Sequence, residues 1–276
     1  MVTTDRRSDA ALNQLQAKAH YYFQRSVFAQ LTQRSAESPS VTMALHRLAK
    51  RGRIVAVTRR PSGYLIVPPE HASFGAPPFS WWVHDCMTPV EAHYYVGLLT
   101  AAQHWGSAHY ARQDVQIMIS RPHPSLTPGR LKISFTVKRN LEATPTVMVT
   151  SGVAPWRVST RAATVLDLLR HQTTVGGLES VVRVLRDFVP YIKPAELRTA
   201  LDALDQRSTA QRLGFLLDRL GHPALAKVTS TWLGASAHRM PQRLELGTAA
   251  ARDLDTDDRW RVAFDPIRVG LALELQ

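Results

Sequence analysis

Between residues 33 and 60 the chain carries seven Lys/Arg side chains (Arg34, Arg47, Lys50, Arg51, Arg53, Arg59 and Arg60) against one carboxylate, Glu37. Cations at that density suit a partner with closely spaced phosphates, because each neutralised phosphate releases condensed counterions. Interleaved with them are Ser38, Ser40, Thr42, Met43 and His46. Arg can bond guanine O6 and N7 together, whereas Ser and Thr hydroxyls discriminate less. Other chemistries have weaker support. No GxxxxGK phosphate loop occurs. His84, His93, His104 and His109 invite a metal reading, but His104 and His109 are five residues apart and off a common helical face. Asp253-Leu254-Asp255 after Gly247-Thr248 is a distant echo of a nucleotidyltransferase pattern that holds Mg²⁺ on a strand. Here the segment reads as an Ala-rich acidic turn. Ser, His and Asp abound, yet a catalytic triad is recognised by geometry. No catalytic residue, metal ligand or cofactor is therefore expected, and the chain is read as no enzyme. Trp81, Trp82, Tyr94 and Tyr95 read as core.

The elements that must position the cationic cluster follow from apolar spacing. Leu12, Leu15, Ala19 and Tyr22 predict a helix over 10–22, and Ser26 is suited to cap a second with Val27, Phe28 and Leu31. A third starts at Ser38-Pro39, where the missing proline N–H costs nothing. It turns Val41, Leu45 and Leu48 inward and ends at Gly52. Ser40, Thr42, Met43, His46 and Arg47 then face outward as candidates for base readout, with Ser38 at the cap. Lys50, Arg51 and Arg53 suit phosphate positioning. Residues 53–58 and 64–67 form two β-prone runs around Arg59-Arg60-Pro61-Ser62-Gly63, which predicts a hairpin with Arg59 and Arg60 at its tip. For any single Arg a solvated surface role is the commoner one. The whole cluster on this element order favours duplex DNA.

Composition bounds the rest. The chain has 276 residues, 45% hydrophobic and 20% charged, with a formal net charge of +12. Residues 1–70 hold 11 Lys/Arg against 4 Asp/Glu, and the remaining 206 hold 23 against 18, so most of the excess lies in one quarter of the chain. No apolar run approaches the ~18 residues of a membrane span. Residues 1–7 lack a secretory signal's apolar stretch, and Cys86 is the only cysteine. A cytoplasmic location is expected, with no membrane partner.

Pro68, Pro69, Gly75, Pro77 and Pro78 predict a linker. Thr88-Pro89-Val90-Glu91 has capping-box spacing and predicts a helix with Val90, Tyr94, Leu98, Ala101 and Trp105 on one side. Strands are expected over 115–120, 131–137 and 146–150. From Ser159 helices follow with inward Leu178 to Phe188, Leu197 to Leu204 and Leu213 to Leu220, a further one ending near Trp232, and a strand within 259–264. The expected fold class is α+β. It comprises an N-terminal winged helix-turn-helix over 1–68, a linker over 69–80, and a larger mixed α/β C-terminal domain over 81–276 ending in a helical bundle.

Several segments also carry a family resemblance. They are Leu48-Ala49-Lys50-Arg51-Gly52-Arg53-Ile54 leading to Gly63-Tyr64, the run Tyr94-Tyr95-Val96-Gly97-Leu98-Leu99-Thr100-Ala101-Ala102, and Gln116-Ile117-Met118. Ser159-Thr160-Arg161-Ala162-Ala163-Thr164-Val165-Leu166-Asp167-Leu168-Leu169, Gly176-Gly177-Leu178 and Gln211-Arg212-Leu213-Gly214-Phe215-Leu216-Leu217 continue it. In this order the chain resembles the AbiEi family of antitoxins over nearly its full length. The resemblance implies an abortive-infection (phage-defence) toxin–antitoxin system whose toxin is a nucleotidyltransferase. It implies an N-terminal domain that represses its own operon on inverted repeats. It also implies a C-terminal domain that counteracts the toxin, commonly in the type IV manner, without stable toxin binding. One winged helix touches little surface, so self-association on DNA is expected. Arg212 is read as structural ahead of functional. Arg157, Arg161, Lys132, Lys138 and Arg139 are candidates to extend the basic face or meet an acidic partner. Two alternatives stay open: a stand-alone transcription factor with a ligand-sensing C-terminal domain, and a kinase-like enzyme modifying the toxin.

Overall fold

The computed structural model describes residues 2–59, 62–107, 114–150, 152–234, 240–246 and 254–274, with side chains from residue 6 onward. It divides into two compact units. Unit 1 comprises Met1–Tyr95, Arg112–Lys138 and Met148–Arg157, and unit 2 comprises Val96–Ala111, Arg139–Val147 and Val158–Gln276.

Unit 1 opens with α1 (Val2–Ala17), which buries Ala11, Leu12 and Leu15. The helix expected as far as Tyr22 stops earlier. Ala19 takes a left-handed φ of 60°, and Tyr22 joins a short strand, β1 (Tyr22–Gln24). Next is α2 (Arg25–Leu31), whose cap position is Gln24 rather than the expected Ser26. α3 (Pro39–Lys50) starts as the sequence dictates, with Ser38 as N-cap and Pro39 in the first turn, and buries Val41, Ala44, Leu45 and Leu48. Gly52, at φ 68°, lets the chain leave the helix. β2 (Ile54–Arg59) and β3 (Ser62–Ile66) then pair antiparallel, with an irregularity between Ala56 and Thr58. β1 adds to the far side of β3 through Tyr22↔Leu65, giving the order β1-β3-β2 and leaving β2 at the edge. One apolar cluster, including Leu12, Phe23, Phe28, Val41, Leu45, Leu48, Ile54 and Ile66, closes these elements on each other.

Residues 69–80, expected as a linker, lie inside unit 1. They form 3-10 turns at Pro69–His71 and Phe79–Trp81 with Ala76 buried, because prolines that fix φ set turns as well as spacers. α4 (Val83–Met87) follows. The helix expected from Thr88 through Trp105 does not form as one element. Val90 and Glu91 close turns on Met87, Tyr94 and Tyr95 are fully buried, and β4 (Tyr95–Val96) replaces the helix's middle. Leu98 takes φ 51° before α5 (Leu98–His104) begins. Two tyrosines and a valine favour a pleated surface over a helix. Glu91 makes no capping box and bonds Ser120 instead.

β5 (Asp114–Ile119) and β6 (Lys132–Val137) pair in parallel from Asp114↔Lys132 to Ile119↔Val137. Parallel pairing obliges the connection, residues 120–131, to travel back the full length of the strand. β7 (Thr146–Thr150) and β8 (Pro155–Ser159) follow, and Val158 pairs in parallel with Val96.

Unit 2 is mainly helical: α6 (Arg161–Arg170), α7 (Gly177–Phe188), α8 (Pro194–Leu204), α9 (Arg207–Arg219) and α10 (Pro223–Leu233). A small sheet ordered β10-β11-β9 is made by β9 (Gln242–Arg243), β10 (Asp255–Asp257) and β11 (Val262–Phe264), before α11 (Pro266–Glu274). The chain is thus α+β. Among the described residues no helix is long and apolar enough to cross a membrane.

Candidate nucleic-acid interface

The exposed face of α3 follows from its buried stripe. With Val41, Ala44, Leu45 and Leu48 inward, Ser40, Thr42, Met43, His46 and Lys50 are exposed and Arg47 half-buried. Met43 is 56% exposed, an unusual place for a thioether on a solvated helix. The start of the helix is fixed by polar contacts. Ser38 Oγ accepts from Ser40 N at 3.2 Å and lies 2.9 Å from Ser40 Oγ. No acidic residue occupies the first turn, and Arg47 and Lys50 sit in the last. Cations there also suit the negative end of the helix dipole, which is their ordinary structural role.

Arg25 is the residue that sequence reasoning missed. From the first position of α2 its Nε donates to Ala36 O at 2.6 Å, and its Nη2 reaches Ser38 O at 3.4 Å and Thr42 Oγ1 at 2.7 Å. One guanidinium thereby ties the connection before α3 to the first turn of α3. No short-range spacing announces it, since Arg25 and Thr42 are joined only by the packing of α2 on α3.

The remaining candidates divide. Arg47 folds back so that Nε donates to Met43 O at 3.3 Å. Arg53 meets Asp9 of α1 at 3.6 Å, so a phosphate there would compete with a resident carboxylate. Arg51 is exposed just beyond the helix, and Arg59 is exposed at the end of β2, where its carbonyl accepts from Ser62 Oγ at 3.2 Å. Among the described residues no carboxylate pairs with Arg47, Lys50 or Arg59. Arg60 lies outside the described residues, as do His109 and the whole segment from Gly247 to Asp253. Asp255 lies in β10. Trp82, Tyr94 and Tyr95 are core, and Trp81 packs on Tyr21 at 4.8 Å. His84 meets the Tyr94 hydroxyl at 3.1 Å.

Of the cations read as candidates to extend this face or meet an acidic partner, Lys132, Lys138, Arg157 and Arg161 have partners within the molecule, and Arg139 is exposed. Lys138 is only 2% exposed, donates to Tyr95 Oη at 3.0 Å and lies over the same ring. Lys132 pairs with Asp114 at 3.6 Å, Arg157 donates to Ala92 O, and Arg161 lies over Trp105 and Tyr191.

The motifs of unit 2 have architectural roles. In α9, Gln211 Nε2 donates to Trp260 O at 2.9 Å, and Arg212, 5% exposed, donates to Leu169 O at 3.3 Å and Ser208 O at 3.2 Å. Burial lowers the Arg212 pKa from its ordinary value. Gly214 is required because any Cβ there would collide with the Trp260 indole. Thr160 caps α6 by accepting from Ala163 N, while Ser159 and Thr164 share a hydroxyl contact of 2.7 Å. Arg212 is thus the structural residue it was read to be.

With this geometry in view, residues 95–219 match the family described as AbiEi antitoxin C-terminal domain. The resemblance read over nearly the whole chain is matched over those residues. Among solved structures the chain is similar to the RV2827C protein from Mycobacterium tuberculosis, at 15% identity and a TM-score of 0.68, covering 98% of this chain and 93% of that one. At that identity the likeness shows the fold alone. No curated protein matches the chain.

Proposed function

We propose that this antitoxin binds operator DNA through a winged helix-turn-helix in residues 1–68 and represses its own operon. In this reading α3 enters the major groove, Ser40, Thr42, Met43, His46 and Arg47 meet base edges, and Ser38, Lys50, Arg51 and Arg53 position the backbone. Arg59 and Arg60 reach phosphate or the minor groove from the hairpin. Residues 81–276 counteract a nucleotidyltransferase toxin. The carrying observation is the outward face of α3, which presents hydroxyls, a thioether, His46, Arg47 and Lys50 and no carboxylate.

Titration of the full chain on a duplex from upstream of its own gene, against a random duplex of equal length, tests the DNA half. Specific binding is expected to be at least ~10³-fold tighter at physiological salt, and equal affinities overturn the readout. Co-expression with the adjacent toxin tests the other half by growth. Rescue that survives loss of DNA binding assigns neutralisation to the remainder of the chain.

A further inference from the structure

Beside β2 lies a cavity of about 660 Å³ whose opposite wall is the connection between β5 and β6. On one side it touches four consecutive residues, Ala56 to Arg59. These four include the irregularity between Ala56 and Thr58, where the pairing of β2 with β3 slips. β2 is the edge of its sheet, and its unpaired backbone groups face that side. The other wall contributes His123, Ser125 and Thr127. His123 is held in place, its Nδ1 donating to Pro124 O at 2.8 Å and its ring meeting Phe135 edge-on at 4.8 Å.

We infer that this groove is a second nucleic-acid contact, in which the loop 121–130 and the edge of β2 embrace one phosphodiester strand of the duplex. The inference rests on the reading of the hairpin as a DNA-contacting element and extends the interface beyond residue 68. Charge selects the occupant. The lining residues include Arg59, a histidine and the hydroxyls of Ser125 and Thr127, with no carboxylate among the described residues, and Arg121 and Arg130 are exposed at the two ends of the loop. An extended peptide adding to the β2 edge is the rival occupant. The irregularity between Ala56 and Thr58 opposes it, because a bulge disrupts the ladder that strand addition needs. Backbone donors, hydroxyls and a guanidinium without acids are instead the set that positions phosphate. The loop exists for a topological reason, the return demanded by a parallel pair, and hence was invisible as a binding element in the sequence.

The test uses the full chain and the upstream duplex. Cys86 is the only native cysteine. It is buried, and burial pushes its thiol up to about 12, so Ser125→Cys supplies the one reactive site for a thiol-specific photocrosslinker. Light-dependent crosslinks to DNA are expected. Ser125→Glu combined with Thr127→Glu, both exposed positions, should weaken binding ~10-fold and reduce the salt slope by about 1, with unchanged melting temperature. The inference is overturned if the unmodified chain binds while the probe labels no DNA and the double variant matches its affinity and slope. Crosslinks to a second protein chain instead would assign the groove to a peptide. Should the unmodified chain bind no duplex at all, the DNA reading itself fails, and this groove with it.

Discussion

Arg47 and Arg212 sit on helices of nearly equal length, α3 and α9, and the fold uses them in opposite ways. α3 buries one stripe and leaves Arg47 at the margin of an exposed face, its Nε on the helix's own Met43 carbonyl. α9 is buried from Thr209 through Leu217, and Arg212 spends its donors inside, on Leu169 O, Ser208 O and Thr209. The first cation bonds back onto its own helix at the surface, while the second ties α9 to α6 in the interior. Net charge alone hides this difference. Arg161 and Lys138 repeat the inward pattern through aromatic rings, so a cation outside the first 70 residues points to a ligand only where the fold leaves it exposed.

The largest effect is expected at Arg212. Arg212→Met should cost about 2–3 kcal/mol of stability by leaving the buried Leu169 carbonyl unpaired, read as a fall in urea midpoint. Duplex affinity under native conditions should not move. If affinity falls and the midpoint holds, the two regions have been assigned the wrong way round. Arg47→Ala is the mirror experiment. About 1–3 kcal/mol of affinity for the cognate duplex should be lost with relaxed base preference, and the melting temperature should stay within a degree or so of the unmodified chain.

Arg25→Met sharpens the contrast, because Arg25 is inward-working yet serves the outward face. Loss of its three contacts should cost about 1 kcal/mol of stability and also reduce specific more than non-specific DNA binding, measured on the two duplexes in parallel. A stability loss without any change in the specificity ratio would reduce it to a plain turn clamp. The smallest effect is expected at Glu91, whose pKa is lowered chiefly by the Ser120 hydroxyl bond. A carboxyl depressed in the folded state contributes stability above the ordinary value of about 4.3 and loses it as pH falls through the folded value. Glu91→Gln should therefore flatten the acid limb of the stability profile and leave neutral DNA binding alone. An unchanged limb would remove Glu91 from that role.

How much was legible in the sequence varied with the range of the interaction. α3 could be read almost to the residue, since Ser38, Pro39, the apolar period and Gly52 act within a few positions of one another. The hairpin followed from two β-prone runs around a Pro/Gly turn. Residues 88–105 misled because Thr88-Pro89-Val90-Glu91 satisfies a local rule that Tyr94 and Tyr95, buried in the tertiary core, override. The stretch 69–80 misled because proline marks a tight turn as readily as a spacer.

The sequence by itself determined the helical stripe of α3, the cationic surplus around it, and the family motifs of residues 95–219, all of which are encoded in residue type and short spacing. Only the tertiary structure decided which cations are spent internally. It brought Arg25 to Thr42 and Arg212 to Leu169, and it set Trp260 against the bare Cα of Gly214. These are meetings between chain segments 17 to 46 positions apart, and no local propensity can specify which donors the packing of distant elements will consume.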